Sequence, residues 1–308
     1  MLFEYAVEPQ AIGSSWQNFR YLIEKFGFDR GRLISQFPKA WFKEVYTASA
    51  AMKPVERKRL EEILNQAKHS KVIRSGRPYD PGLGNWLQNA ISQNAVTPFH
   101  AIIAEENPTA LAEVLLVNDV DEMNPLMLSA HTWEVGRVGA TLAQAMAPLL
   151  KSAKRVLFVD RYFDISKGPY KETLKACLDT LNAAGINGIR CEIHFCDHDK
   201  RPSPDFVEKE AHKWLHGILP AGMSIALFSW KERVGGADFH ARYLLTDVGG
   251  INVEAGFSAE GAHQTVQFAL LTADLAQSRL TALDRTSTVY ELVGPVLEIR
   301  SDGSVVRV

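Results

Sequence analysis

The sequence predicts an α/β protein whose second half is a mixed β-sheet flanked by helices. Two observations predict it. Between residues 155 and 229, short apolar runs alternate with longer amphipathic stretches, the pattern of βαβ units that build a mainly parallel sheet. From residue 239 onward the pattern turns β-rich, with a single further helical stretch, so strands of both directions are expected. A third observation concerns the other half: residues 1–95 read as mostly helical.

Each element follows from local signals. Ser14 and Ser15 can cap a helix that carries Trp16, Phe19, Leu22, Ile23 and Phe26 at helical spacing. Pro54 suits a first helical turn ahead of ERKRLEEILNQAKH, and the glycine- and proline-rich residues 75–84 form a loop. A short helix with Trp86, Leu87 and Ile91 follows. Residues 99–104 and 111–117 are short apolar runs between turn residues and read as buried strands. A helix is expected over about 133–150, with core packing the default for Trp133 beside His131 and Arg137. RVLFVD (155–160), IRCEIHF (189–195) and MSIALFS (223–229) read as strands. Residues 170–185, which end on a glycine, and 204–217 read as the helices between them. FHARYLLTD, INVEAGF and TVQFALLT follow as strands, and ADLAQSRLTAL as a helix. The expected division is a mainly helical region over 1–125 and an α/β domain over 126–308, with the boundary in NDVDEMNP (118–125) or slightly later.

A chain of 308 residues buries a full core without disulfides or structural metals. Its net charge of −2 supplies no global basic field for nucleic acid, though a local basic cleft is compatible with it. Cys177, Cys191 and Cys196 have no C-x-x-C spacing and fit a reducing compartment. The start, MLFEYAVEP, lacks the pattern of a signal peptide, and no run approaches the ~20 apolar residues of a membrane span, so a cytoplasmic location is expected.

The segment FHARYLLTD, which runs into Val248-Gly249-Gly250, holds His240, Arg242 and Asp247 as H-x-R-x-x-x-x-D. Period-2 geometry on a strand would put His240 and Arg242 on one face. A nucleophilic imidazole beside a permanent cation suits a phosphodiester: the guanidinium holds phosphoryl oxygens while the histidine forms a covalent intermediate. Asp247 has the opposite parity, at the strand end, where parity alone makes it a structural residue of the turn.

This segment resembles the H-x-K-x-x-x-x-D signature of the phospholipase D superfamily, with Arg242 in place of the lysine. The flanks are similar too. RVLFVDRYFD, the 170–185 helix and IRCEIHF resemble the family's opening; INVEAGFSAE, TVQFALLT and ADLAQSRLTAL follow in its later order. The resemblance implies a phospholipase D-like sheet, with His240 as nucleophile, Arg242 as phosphate clamp and Asp247 as the third member of the motif. The family's G-S-x-N turn is matched by Gly256-Phe257-Ser258-Ala259, which keeps the hydroxyl of Ser258 and lacks the asparagine. The carboxylate that orients the histidine in the family would here be Glu260. The family joins two motifs at one site. His69-Ser70-Lys71 is no second copy, since Gly76 stands at the aspartate position, so the resemblance implies a homodimer.

Asp160 and Tyr162 in VDRYFD, with Arg161 and Asp164, sit at a strand's C-terminal end and could contact substrate. His194, Cys196, His198 and Asp199 match no zinc spacing, and neither a cofactor nor a metal site is expected. Arg74, Arg77 and Tyr79 read as a solvated loop in preference to a phosphate- or partner-binding one, and Lys231, Glu232 and Arg233 ahead of the motif fit a solvated turn and the frame of a substrate channel equally well. Walker, dinucleotide and nucleophile-elbow motifs are absent. The expected function is a metal-independent phosphodiesterase, foremost a nuclease with nucleic acid as substrate. The alternatives are a catalytically degenerate module that binds a phosphate-bearing ligand (nucleic acid, lipid or nucleotide), or a subunit of a larger assembly, with defence against foreign DNA as one such setting, whose partner proteins dock on residues 1–125.

Overall fold

A computed structural model describes residues 1–186, 188–198 and 202–308. The chain divides into two compact units, Met1–His131 and Thr132–Val308, so the boundary falls a few residues beyond the NDVDEMNP segment. The whole is a mixed α/β architecture of sheets flanked by helices.

The first unit has the expected helices, and they surround a parallel sheet of which the sequence showed only part. Its strands are β1 (Phe3–Val7), β2 (Arg32–Gln36), β3 (Val72–Arg74), β4 (Ala101–Ala104) and β5 (Val114–Leu116). They form one parallel sheet in the order β3-β2-β1-β4-β5. Helices α1 (Pro9–Gly13), α2 (Trp16–Lys25), α3 (Trp41–Ala48), α4 (Pro54–Ser70) and α5 (Trp86–Val96) cover it. Tyr5, Val7, Ile34 and Ile103 pack with α1 to α4, while Ala6, Ile102 and Ala104 pack with Trp86, Leu87 and Ala90 of α5. β4 and β5 are the strands expected over 99–104 and 111–117, whereas β1, β2 and β3, at three to five residues each and packed on both faces, are hard to tell from helix by pattern.

The second unit begins with β6 (Thr132–Arg137), where the sequence reading expected the start of a helix. β-Branched and aromatic residues dominate β6, and Trp133 pairs edge-to-face with Phe268 on the neighbouring strand. The helix, α6 (Gly139–Ser152), starts only after it. There follow β7 (Arg155–Val159), α7 (Gly168–Ala183), β8 (Arg190–Cys196), α8 (Pro204–Leu215), β9 (Ser224–Glu232), β10 (Tyr243–Thr246), β11 (Gly249–Val253) and β12 (Gly261–Leu270). The chain ends with α9 (Ala273–Ala282), β13 (Tyr290–Leu292), β14 (Leu297–Arg300) and β15 (Val305–Arg307). These strands make one sheet in the order β15-β14-β9-β8-β7-β10-β11-β12-β6, with β13 paired to β9. β7, β8 and β9 run parallel, and β10 runs antiparallel to β7. The chain therefore enters β10 at the end of the sheet where β7, β8 and β9 finish. One face of this sheet buries Leu157, Val159, Phe228, Trp230, Tyr243 and Leu245 with Ala276 and Leu283 of the α9 region.

Candidate functional site

The H-x-R pair does not lie in a strand. The last β10–β7 pair is Tyr243 with Val159. Beyond it β7 gives way to the turn at Asp160, so His240–Arg242 has no partner on that side, and strand parity does not govern the two side chains. On the other side the Val253 amide donates to the Arg242 carbonyl at 2.9 Å.

Arg242 and Asp160 form the best-built part of the site. Asp160 is 1% exposed. Its Oδ1 accepts from the Tyr162 amide at 2.9 Å and its Oδ2 from the Phe257 amide at 3.1 Å. Arg242 Nε stands 3.6 Å from Asp160 Oδ1, and Nη1 donates to the Glu254 carbonyl at 2.6 Å. The guanidinium carbon lies 5.6 Å from the ring centre of Tyr162, an exposed residue. Gly256 closes this corner at φ +77°, and a Cβ there would collide with Asp160 Oδ2 and come within 2.8 Å of Arg242 Cδ. Glycine is required for both its backbone and its lack of a side chain. One buried carboxylate thus ties the end of β7, the 256–257 turn and the motif arginine together. Sequence reading singled out Asp160 and Tyr162 but missed Gly256, which it read only as part of a loosely matched turn.

His240 is exposed and makes no hydrogen bond to a described residue. It borders a cavity of about 180 Å³ that Val159, Phe239, Tyr243, Arg279 and Tyr290 also line. Arg279 comes from α9 and was missed by sequence reading, which saw an arginine on an amphipathic helix and nothing to set it apart.

The remaining motif residues are placed differently from the catalytic expectation. Asp247 lies at the far end of β10, where its Oδ1 accepts from the amides of Lys154 (2.8 Å) and Arg155 (3.2 Å). It holds the start of β7 and belongs to the frame, away from His240 by most of a strand length. Ser258 is buried and donates to Glu260 Oε1 at 2.6 Å. Arg137 of β6 donates to the Ser258 carbonyl from Nε (3.2 Å) and Nη2 (3.0 Å), and its Nη2 is 3.5 Å from Glu260 Oε1. Glu260 is therefore engaged with Ser258 and Arg137, and it does not hydrogen-bond His240. The clamp fixes the 256–260 turn to β6.

Around the mouth, Glu232 Oε1 accepts from Arg161 Nη1 at 2.6 Å and from the Phe239 amide at 2.8 Å, anchoring the approach to His240. Asp164 accepts from Ser166 and caps its own turn. Arg77, read as a solvated loop residue, is bound to Glu4 and lies 3.8 Å over Phe99 within the first unit.

A buried polar chain crosses β7, β8 and β9. Glu192, fully buried, accepts two hydrogen bonds from Arg155, at 2.9 and 2.8 Å, and pairs with Arg190. Its Oε2 is 3.0 Å from His194 Nε2, and Trp230 Nε1 donates to His194 Nδ1 at 2.9 Å. The Trp230 donor fixes the tautomer, leaving the proton on Nε2 to be given to Glu192. Burial alone would raise the Glu192 carboxyl, but the bonds from His194 and Arg155 outweigh it and hold it at about 2. Burial pushes the His194 imidazole down, so it stays neutral. Both ring nitrogens of His194 are thus occupied, and among the described residues no group of three or more His, Cys, Asp or Glu side chains could hold a metal. Asp199, the fourth member of the sequence cluster, lies outside the described residues. Burial also raises the Cys177 thiol, and the Cys191 thiol to about 12, so neither is a thiolate at neutral pH. No helix among the described residues is long and apolar enough to cross a membrane.

No protein-family model matches the chain, and no curated protein sequence matches it. Among solved structures it is similar to TrmBL2, an archaeal chromatin protein with a novel mode of DNA binding, at TM-score 0.27 and 15% identity, over 80% of this chain and 88% of that one. It is also similar to polyphosphate kinase from Porphyromonas gingivalis, at TM-score 0.30 and 14% identity, over 72% of this chain and 35% of the kinase. The chain thus spans about a third of the kinase's length. Scores this low carry nothing over to the site.

Proposed function

We propose that the Thr132–Val308 unit is a phosphodiesterase of the phospholipase D-like type, a metal-independent nuclease of the cytoplasm that works through a phosphohistidine on His240. The observation that carries this reading is the setting of His240. It is exposed, unbonded by any described residue, next but one to Arg242, and on the rim of a cavity that also holds Arg279, at the end of the sheet where β7, β8 and β9 finish. In an α/β sheet this is the end where ligands bind.

In this reading a ring nitrogen of His240 attacks phosphorus, forming a P–N bond as the P–O bond to the leaving group breaks. The leaving oxygen takes its proton from a second histidine. Water then cleaves the P–N bond and restores the imidazole. Arg242 Nη2, which no described residue bonds, is available to a phosphoryl oxygen, while Asp160 and the Glu254 carbonyl hold the rest of the guanidinium still. One chain supplies one such histidine, so the second comes from another copy across a two-fold axis.

Cleavage of DNA, RNA or bis-p-nitrophenyl phosphate in EDTA, with the mass in solution measured alongside, tests the reading. It expects cleavage to persist without metal, a mass of two chains, and a fall of at least about 10³-fold in His240→Ala. Loss of cleavage in EDTA, or wild-type turnover by His240→Ala, contradicts it.

A second reading, a phosphate-binding module without turnover, is favoured by one specific observation: the carboxylate expected to orient His240, Glu260, is bound to Ser258 and Arg137 instead. It expects a phosphate-bearing ligand to bind unchanged, with affinity weakened by Arg242→Ala.

A further inference from the structure

Among the described residues, Arg279 has no hydrogen-bond acceptor. It projects from α9 to the cavity that His240 borders, and its guanidinium makes no hydrogen bond or ion pair with a described residue. Its Nε is fully buried and unsatisfied. The nearest favourable contact is with the ring of Tyr243, whose centre lies 5.7 Å from the guanidinium carbon. A buried N–H of a permanent cation left without an acceptor is costly and calls for an occupant. The surroundings say which kind. The walls are aromatic and apolar, from Val159, Phe239, Tyr243 and Tyr290, so a charge inside would be poorly screened. The Tyr290 hydroxyl already donates to the Asp238 carbonyl at 3.2 Å. Asp238 also borders the cavity, but it is exposed, and among the described residues no carboxylate forms an ion pair with Arg279. At about 180 Å³ the space is below the ~300–1,000 Å³ of pockets that take drug-sized ligands. It suits a compact anion, with no room for a nucleobase in addition.

We propose that this cavity is a phosphate pocket in which Arg279 binds a phosphate group through Nε and a terminal nitrogen, next to His240. The ligand is a terminal or bridging phosphate with few further atoms, whether it belongs to a nucleotide end, a glycerophosphate or free phosphate. The pocket deepens the phosphodiesterase reading, since it would set which phosphate reaches His240, but its binding is measurable without turnover.

The test is a titration of the full chain with inorganic phosphate, glycerol 3-phosphate and thymidine 5′-monophosphate, followed by calorimetry and ³¹P NMR. Arg279→Met keeps the stem over Tyr243 and removes the donors. Ala282→Phe fills the cavity and leaves the charge in place. Both should weaken binding by about 10-fold or more, the worth of a charge-assisted hydrogen bond, whereas Lys175→Met, an exposed cation of α7 outside the site, should leave the affinity unchanged. The tightest of the three probes identifies the source of the phosphate. Wild-type affinity in Arg279→Met overturns the proposal, and so does the absence of phosphate binding by the wild type. If Arg279→Met does not fold, Ala282→Phe decides by the same criterion. Arg279-dependent binding without diester cleavage would sustain the pocket and sink the phosphodiesterase reading; diester cleavage with affinity indifferent to both variants would do the reverse.

Discussion

Glu192→Gln removes one charge from the centre of the buried chain and keeps its shape. In the wild type Glu192 accepts from Arg155 twice and from His194, with Arg190 as a further partner. A glutamine offers one oxygen to donors on both sides and turns its own N–H groups toward one of them, so at least one buried donor loses its acceptor. The folded carboxyl sits at about 2 against an ordinary 4.5. At about 1.4 kcal/mol per unit, that displacement is worth about 3 kcal/mol of stability at neutral pH. Breaking a buried ion pair typically costs about 3–5 kcal/mol, in agreement. The sign is fixed: a depressed carboxyl stabilises the fold above pH 4.5, and the contribution disappears as pH falls toward 2. His194, held neutral by burial, gives the wild type a slope of the same sign that begins already below its ordinary 6.5. Hydrogen exchange of the β7 and β8 amides, with urea unfolding from pH 7 to pH 2.5, should show the variant about 3 kcal/mol less stable at pH 7 and the two proteins converging at the acid end. A deficit under about 1 kcal/mol, or one that does not change with pH, refutes the assignment of Glu192 as a charged, fully bonded carboxylate.

Three further outcomes follow from the site and its frame. Gly256→Ala forces a Cβ onto Asp160 Oδ2 and Arg242 Cδ at φ +77°; the backbone term alone should cost about 1–3 kcal/mol in a thermal melt, and turnover should fall with it. Asp247→Ala removes the acceptor of two backbone amides at the start of β7 and should cost about 1–2 kcal/mol, while turnover per folded molecule stays at the wild-type value. Cys177, Cys191 and Cys196 are all buried, so a thiol reagent at pH 8 should leave them unmodified until the protein is unfolded in urea.

The second half of the fold was legible in the sequence because its helices and strands alternate at ordinary lengths. RVLFVD, IRCEIHF and MSIALFS became β7, β8 and β9, and the stretches between them became α7 and α8. The first unit was not legible in the same way. Residues 99–104 and 111–117 were read as strands and became β4 and β5, but β1, β2 and β3 were missed: with Ala6 facing one set of helices and Tyr5 and Val7 another, β1 has no solvent face to give it a polar alternation. Strand β6 was taken for a helix because Thr132–Arg137 runs without a turn signal into the helical pattern of α6. At the site, local sequence identified the stretch that matters and misjudged its geometry. His240 and Arg242 precede β10 because β7 ends at Val159, a fact about a partner strand some eighty residues away. The roles of Asp247 at the start of β7 and of Glu260 beside Arg137 depend on pairings between distant strands. Arg279 gave no signal at all, because a buried nitrogen without an acceptor exists only once α9 has packed over the cavity.

The central claim, that His240 is a nucleophile, is tested most directly by trapping the covalent intermediate. The wild type and His240→Ala would each be mixed with bis-p-nitrophenyl phosphate in EDTA and quenched in alkali, which preserves a phosphorus–nitrogen bond. The peptide spanning residues 239–247 would then be read by mass spectrometry. A p-nitrophenyl phosphoryl adduct on His240 in the wild type, absent from the variant, is the expected result. Released p-nitrophenol with no adduct on His240, or an adduct on another residue, contradicts it.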